Sequence, residues 1–246
     1  MARHTATVTD REQPARGPRD AWPPARLRIA TPRLELRLPG EDDLARLAAV
    51  AAAGVHMPGE QPFGIAWGAQ PPALRARSVL QWHWATRGTW TPQRWTLDFA
   101  VFLDGDPAGA QGLSAAGFPV RREVATGSWL GLPYQRQGLG TEMRAAVLAL
   151  AFTHLGALSA VTGAFADNTA AIKVSRALGY HDDGHQVSNR DGARVLARRF
   201  RLTAPTDMRH WPPVTISGVD DEFLGMCGAT DPAGHQALPL GGYPHA

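Results

Sequence analysis

The sequence predicts an α/β protein of the α+β kind, a mixed central sheet of about seven strands with helices on its faces. Alternating apolar and charged residues mark a strand at the front of the chain. A stripe at helical spacing marks a buried helix past the middle, and turn signals give the order β-α-α-β-β-β-α-β-α-β-β. The chain has 246 residues, 44% of them apolar, enough to bury a core without staples. Its single cysteine, Cys227, excludes a disulfide-rich secreted module and a cysteine-based zinc site, and no metal is expected. It fits a reducing, cytoplasmic compartment. The nearest approach to a membrane span, residues 145–165, is broken by His154, Gly156 and Thr162. It reads as a buried helix followed by a buried strand, so no membrane partner is expected.

The elements follow from local pattern. Residues 1–25, rich in Arg, Pro and Ala without apolar periodicity, read as a disordered leader. The domain spans 26–203. Leu34, Leu36 and Leu38 alternate with Arg33, Glu35 and Arg37 as in a half-exposed strand. Glu41, Asp42 and Asp43 then place negative charge at a helix N-terminus, with Leu44, Leu47, Ala48 and Ala51 on its inner stripe. Residues 55–72 are too long and too rich in Pro and Gly for a simple turn and read as a functional loop or lid. A second helix runs from Pro71 to about Arg87. Strands follow at 95–103 and 107–114, joined by an Asp-Gly hairpin signal, and at 123–132. Leu139, Met143, Ala146, Val147, Leu150 and Ala151 then form the inward stripe of a helix ending at Gly156. A strand at 158–165, a helix from Asn168 to Leu178 and strands at 180–189 and 194–203 complete the domain. The extension 204–246, rich in Gly and Pro, is expected to dock loosely or stay disordered.

The formal charge of +3 suggests nucleic acid until it is located. Residues 1–28 hold six bases and three acids, and 204–246 hold one base and five acids. The remaining surplus is scattered, so no nucleic-acid partner is expected.

Residues 129–141, WLGLPYQRQGLGT, carry the chemistry. A strand runs into a glycine-containing loop that opens directly into a helix. Backbone N–H groups from about Gln137 to Thr141 then converge with the helix dipole behind them, an arrangement suited to phosphate. A Walker A loop is disfavoured because the only lysine, Lys173, lies elsewhere. A dinucleotide fingerprint is disfavoured because Met143 stands where the third glycine belongs.

The remaining pattern, Q-x-x-G-x-G over Gln135 to Gly140, resembles the pyrophosphate loop of the Gcn5-related N-acetyltransferases (GNAT). Asn168 to Tyr180 is similar to that family's N-x-x-(A/S) element ending in G-(F/Y), and TPRLELR at 31–37 looks like the start of its RimJ/RimL-like branch. Asn168, Ala171 and Ser175 fall on one helical face. Read without the family, Asn168 is an N-cap and Ser175 a helix serine bonded to the preceding turn. The branch usually has glycine where this chain has Arg136, so the loop either takes another shape or gains a phosphate contact.

The resemblance implies a GNAT fold, with helices on both faces and a splayed central parallel strand pair formed by 123–132 and 158–165. It implies an N-acyltransferase, most simply an N-acetyltransferase, in which an amine attacks a thioester directly. Acetyl-CoA or another acyl-CoA would be held by Leu130, Leu132, Gln135, Arg136, Gln137, Gly138, Leu139, Gly140, Thr141, Asn168 and Ser175. Ser175 stands where members often have a thiolate-protonating Tyr. Candidate bases are Glu123, otherwise a solvated strand end beside Arg121 and Arg122, and His56, otherwise a loop residue. Trp84 and Trp129 are candidate acceptor contacts, for a small-molecule amine or a protein N-terminus. Alternatives are an acyl donor carried as phosphopantetheine on an acyl carrier protein met by Arg121, Arg122 and Arg136, or a non-catalytic acyl-CoA-binding module. A homodimer is the commonest assembly prior.

Overall fold

The computed structural model describes residues 18–230. One sheet holds nine strands, β1 (Arg28–Ala30), β2 (Leu34–Arg37), β3 (Arg94–Leu103), β4 (Asp106–Ala116), β5 (Glu123–Leu130), β6 (Ser159–Phe165), β7 (His181–Arg190), β8 (Ala193–Thr203) and β9 (Thr215–Ser217). Their order across the sheet is β7-β8-β6-β5-β4-β3-β2-β1-β9. Every pairing is antiparallel except β5 with β6. The helices are α1 (Pro18–Ala21), α2 (Glu41–Ala53), α3 (Pro72–Gly88), α4 (Phe118–Arg121), α5 (Leu139–Thr153), α6 (Thr169–Ala177) and α7 (Asp221–Met226).

The strands distribute their side chains by the period of two. On β3, Trp95, Leu97, Phe99 and Val101 face the larger core with α5 and α6. Ala100 and Phe102 face a smaller core under α2 and α3. Helix α5 is buried from Leu139 to Ala151 apart from the partly covered Gly140 and Thr141 at its start. An all-round apolar helix has no solvent face to present, so it sits at the centre of its layer.

Nine strands replace the expected seven because two three-residue strands form the far edge. Ile29 of β1 is fully buried and lies opposite Leu36 on one side and Ile216 of β9 on the other. The extension is packed rather than loosely docked over its described part. Phe223 and Cys227 are fully buried, Asp220 caps α7 by accepting from the Phe223 N–H at 2.9 Å, and the Trp95 indole donates to the Cys227 carbonyl at 2.9 Å. Two apolar side chains one helical turn apart suffice to seat a short helix that pattern alone does not reveal. The end of the leader is likewise ordered, with Pro23 and Pro24 buried and Trp22 edge-on to Trp90. The rest of the expected leader, 1–17, and residues 231–246 lie outside the described residues.

Candidate active site

The parallel pair is short. Register holds for Glu123 with Ser159, Val124 with Ala160 and Ala125 with Val161, and then stops. Beyond it β5 stays with β4 through Leu130, while β6 stays with β8 through Phe165. Two strands that follow different neighbours diverge, and a wedge opens between 126–130 and 162–165. The Thr162 hydroxyl bonds the Thr126 carbonyl at 3.0 Å where the wedge begins.

Past β5 the chain turns through Leu132–Tyr134 into the start of α5. Arg136 adopts a left-handed φ of 61° and Gly138 one of 79°. The loop therefore keeps the bend a glycine would make at 136, and the arginine bears the cost of roughly 1 kcal/mol. Among the described residues, no protein acceptor meets the backbone N–H groups of Arg136, Gln137, Gly138, Leu139 or Gly140. The Arg136 guanidinium is exposed and makes no ion pair among the described residues. Five unpartnered donors, two of them in the first turn of α5, beside an exposed guanidinium are chemically suited to an anion such as a diphosphate.

The side chains of the loop are spent on its shape. Gln135 donates to the Val55 and Leu130 carbonyls at 2.9 and 2.8 Å, and Gln137 donates to the Pro133 carbonyl at 2.6 Å. The Leu132 N–H is taken by the Gly54 carbonyl at 3.1 Å, Leu139 is buried, and the Thr141 N–H closes onto Gly138. Beneath the loop lies Glu142, a buried carboxylate in the first turn of α5. It accepts from Thr31 Oγ1 at 2.6 Å, the Arg33 N–H at 3.1 Å and Arg33 Nε at 2.7 Å. Arg33 also donates to the Gln137 carbonyl at 3.0 Å. The arginine thus cancels a charge that would repel phosphate and ties β2 to the loop.

On α6, Asn168 caps the helix by accepting from the Ala171 N–H at 3.1 Å and donates to the Pro62 carbonyl at 3.4 Å. Ser175 is buried, donates to the Ala171 carbonyl at 2.9 Å and accepts from Arg144 Nη1 at 2.9 Å. Both helix-only readings hold in this structure. Arg144 of α5 is 4% exposed and, among the described residues, is paired with no carboxylate. Burial presses its pKa down, with Tyr180 acting in the opposite sense. The Tyr180 hydroxyl, raised in pKa by the same burial, lies 3.4 Å from Thr126 Oγ1 at the mouth of the wedge.

Glu123 sits at the closed end of the parallel pair. Its carboxylate is bound by Arg201, by Arg121 at 2.6 Å and by Ser159 at 3.2 Å. Burial works to raise its pKa, but the hydrogen bond and charge of Arg201, joined by Arg121, prevail and hold it below the usual range. Arg122 turns to the Leu155 and Ala229 carbonyls, so neither Arg121 nor Arg122 borders the wedge.

On the α2 and α3 side, the 55–72 loop lays a row of rings from His56 to Phe63, Trp67 and Trp129, with centroids 6.1, 5.0 and 5.7 Å apart. His56 Nδ1 lies 3.0 Å from the Met57 carbonyl and donates to it, and the buried Nε2 has no hydrogen-bond partner among the described residues. A Cβ on Gly68 would stand 2.6 Å from that nitrogen, so the imidazole packs on bare backbone. Trp84 is remote from this row, exposed on α3, and donates to Glu41 at 3.3 Å. The loop ends its span at the β7–β8 hairpin, where Arg190 holds the Gln61 carbonyl, pairs with Asp167 at 2.8 Å and covers the Phe165 ring.

Three features escape the sequence reading. The brace of Arg33 on Glu142 joins residues 109 positions apart and has no local signature. The buried pair of His83 Nε2 and Asp98 Oδ2, 3.2 Å apart between α3 and β3, needs the register of both elements. Burial lowers the pKa of His83 and raises that of Asp98, in each case against the partner's attraction. Arg144 did have a signal, since a charge inside an apolar helix with no polar face must be buried.

The model of the acetyltransferase (GNAT) domain matches residues 33–181. The fold is similar to that of Mycobacterium smegmatis RimJ in complex with a CoA disulfide, at 18% identity and a TM-score of 0.57, covering 74% of this chain and 88% of that one. It is similar to an acetyltransferase of Salmonella typhimurium that modifies the N-terminal serine of ribosomal protein L7/L12, at 16% identity and a TM-score of 0.57, over 71% of this chain and 98% of the other. It is also similar to RimL, a ribosomal L7/L12 α-N-protein acetyltransferase in complex with coenzyme A, at 17% identity and a TM-score of 0.55, over 72% and 97%.

Proposed function

The chain belongs to the acetyltransferase (GNAT) family and is an acyl-CoA-dependent N-acyltransferase; from that premise we propose that it acetylates the amine of a protein N-terminus or of a small molecule. The observation that carries this reading is the row of five unpartnered N–H groups at the start of α5, set beside a wedge between β5 and β6. The donor would lie with its diphosphate on those N–H groups and Arg136, and with its pantetheine arm in the wedge. The helix dipole and the Arg33 brace favour the anion, and Trp129 with Trp67 walls the opposite side.

The residues divide the reaction by face. An amine entering beneath the 55–72 loop meets rings, and His56 Nε2, the candidate base atom with no hydrogen-bond partner among the described residues, is reached only when the loop moves off Gly68. The amine attacks the thioester carbon, the C–N bond forms as the C–S bond breaks, and the electron pair leaves on sulfur toward α6. RimL-type proteins of the same fold act on a protein N-terminus, which supports that class of acceptor here.

The test has two parts. Acetyl-CoA is expected to raise the melting temperature, and thiol release is expected with at least one member of a panel of N-terminal peptides and small amines. A stabilised protein that releases thiol with none of them would be a binding module. A melting temperature that acetyl-CoA leaves unchanged would remove the site.

A further inference from the structure

Resting on that reading, we propose that Arg144 is a positioning residue for the leaving group, acting through the Ser175 hydroxyl to stabilise the thiolate released from the acyl donor. The motivating fact is an imbalance. Arg144 is almost fully buried, yet among the described residues its only hydrogen bond is to the Ser175 oxygen at 2.9 Å, and its Nε has no partner at all. Glu142, two residues earlier, is held by Arg33 and Thr31. A buried cation without a counter-anion lowers stability, and such a cost persists where an anion arrives during function.

The surroundings say which anion. Lys173 and Arg176 of α6 point to solvent. Tyr180 donates its backbone N–H to the Ser175 carbonyl at 3.1 Å, and its hydroxyl reaches Thr126 where the wedge opens. Arg144, Ser175, Tyr180 and Thr126 therefore form one buried polar cluster behind the wedge, on the α5 and α6 face. The sulfur of a donor lying in the wedge gains a full negative charge as its C–S bond breaks. The Ser175 proton, held on the Ala171 carbonyl in this structure, turns to that sulfur. A hydroxyl that accepts from a guanidinium is the stronger donor for it. Serine need not give up its proton; the thiolate leaves as an anion and takes the proton shed by the amine through solvent.

The experiment needs no acceptor. The thiol of coenzyme A bound to the full chain is titrated by the ultraviolet absorbance of the thiolate, with desulfo-coenzyme A as the blank. Cys227 does not intrude, because burial pushes its own thiol far up. A nearby cation lowers the pKa of a thiol by about one unit or more, and free coenzyme A titrated alongside supplies the reference. The bound thiol of the wild type is expected at least about one unit below the free one. Arg144→Met is expected to restore the free value, and Arg144→Lys to keep part of the shift. Both should bind desulfo-coenzyme A like the wild type, and Arg144→Met should melt at or above the wild-type temperature. An identical thiol titration in wild type and Arg144→Met overturns the inference, as does a lower melting temperature with the shift intact. Should Arg144→Met fail to fold, Arg144→Lys and Ser175→Ala read the same shift, and no change in either is equally fatal. Failure of the wild type to bind coenzyme A or its desulfo analogue would instead defeat the proposed function.

Discussion

The two ends of the β5–β6 pair are built on opposite principles. At the closed end, Glu123 meets Arg201, Arg121 and Ser159, and each charge is answered from within the protein. At the open end the strands part, five backbone donors meet no acceptor, and Arg144 is buried without an anion. The first arrangement stabilises the fold; in the proposed reading the second holds polar groups for the acyl donor.

The largest expected effect comes from filling the open end. Gly138→Glu places a carboxylate among the free donors and a side chain at a φ of 79°. It should abolish the rise in melting temperature produced by acetyl-CoA. Gly138→Asn, which tolerates the left-handed conformation and adds no charge, should keep most of the rise. Equal rises in both variants and the wild type would break the comparison at its stronger side.

Next in size is Arg33→Ala. It leaves Glu142 buried with only Thr31 and the backbone, and because Arg33 itself is 46% exposed in its side chain the cost should be about 2 kcal/mol rather than the full value for a buried pair. Thermal denaturation should show a loss of about 4–8 °C. Acetyl-CoA affinity should fall as well, since an uncancelled carboxylate then sits under the diphosphate. Unaltered affinity would make the brace a stability element alone.

A smaller effect is expected at the lid. In Gly68→Ala the new methyl meets His56 Nε2 at 2.6 Å, and a surface loop can yield, so the cost should be about 1 kcal/mol. The Michaelis constant for the amine should rise while the acetyl-CoA shift stays as in the wild type. A change confined to acetyl-CoA would move His56 to the donor side.

What the sequence reveals and what it hides divides along the same line. The Gln137–Gly138 turn follows from local spacing, because a strand, a bend and a helix N-terminus are consecutive in the chain, whereas the wedge is implied by the family resemblance. The left-handed Arg136 shows that the loop retains the glycine-type bend despite the substitution. The partners of side chains are another matter. Gln135 and Asn168 match the family's positions, but their amides bind carbonyls of the 55–72 loop and the end of β5, about 80 and 106 residues away in the case of Val55 and Pro62. Trp129 and Trp84 are equally plausible from composition, and only register on β5 against a position on the outer face of α3 separates them. The extension hid its packing because its buried side chains, Trp211, Phe223 and Cys227, are too few and too widely spaced to make a pattern.

The smallest effect belongs to the closed end. Glu123→Gln keeps the shape and removes the charge that Arg201 and Arg121 answer. With those arginines 30% and 60% exposed, the loss at pH 7 should be at most about 1 kcal/mol. The Glu123 pKa is depressed in the folded protein, so its contribution is complete above the unfolded value near 4.3 and disappears as pH falls through the folded one. Denaturation of wild type and variant should therefore differ at neutral pH and converge in acid below that range. Turnover with the acceptor found in the peptide and amine screen should stay close to wild type, because the carboxylate already spends its lone pairs on three donors. A loss of about a hundredfold or more, the scale of a missing general base, would place Glu123 in the reaction and make the closed end part of the site.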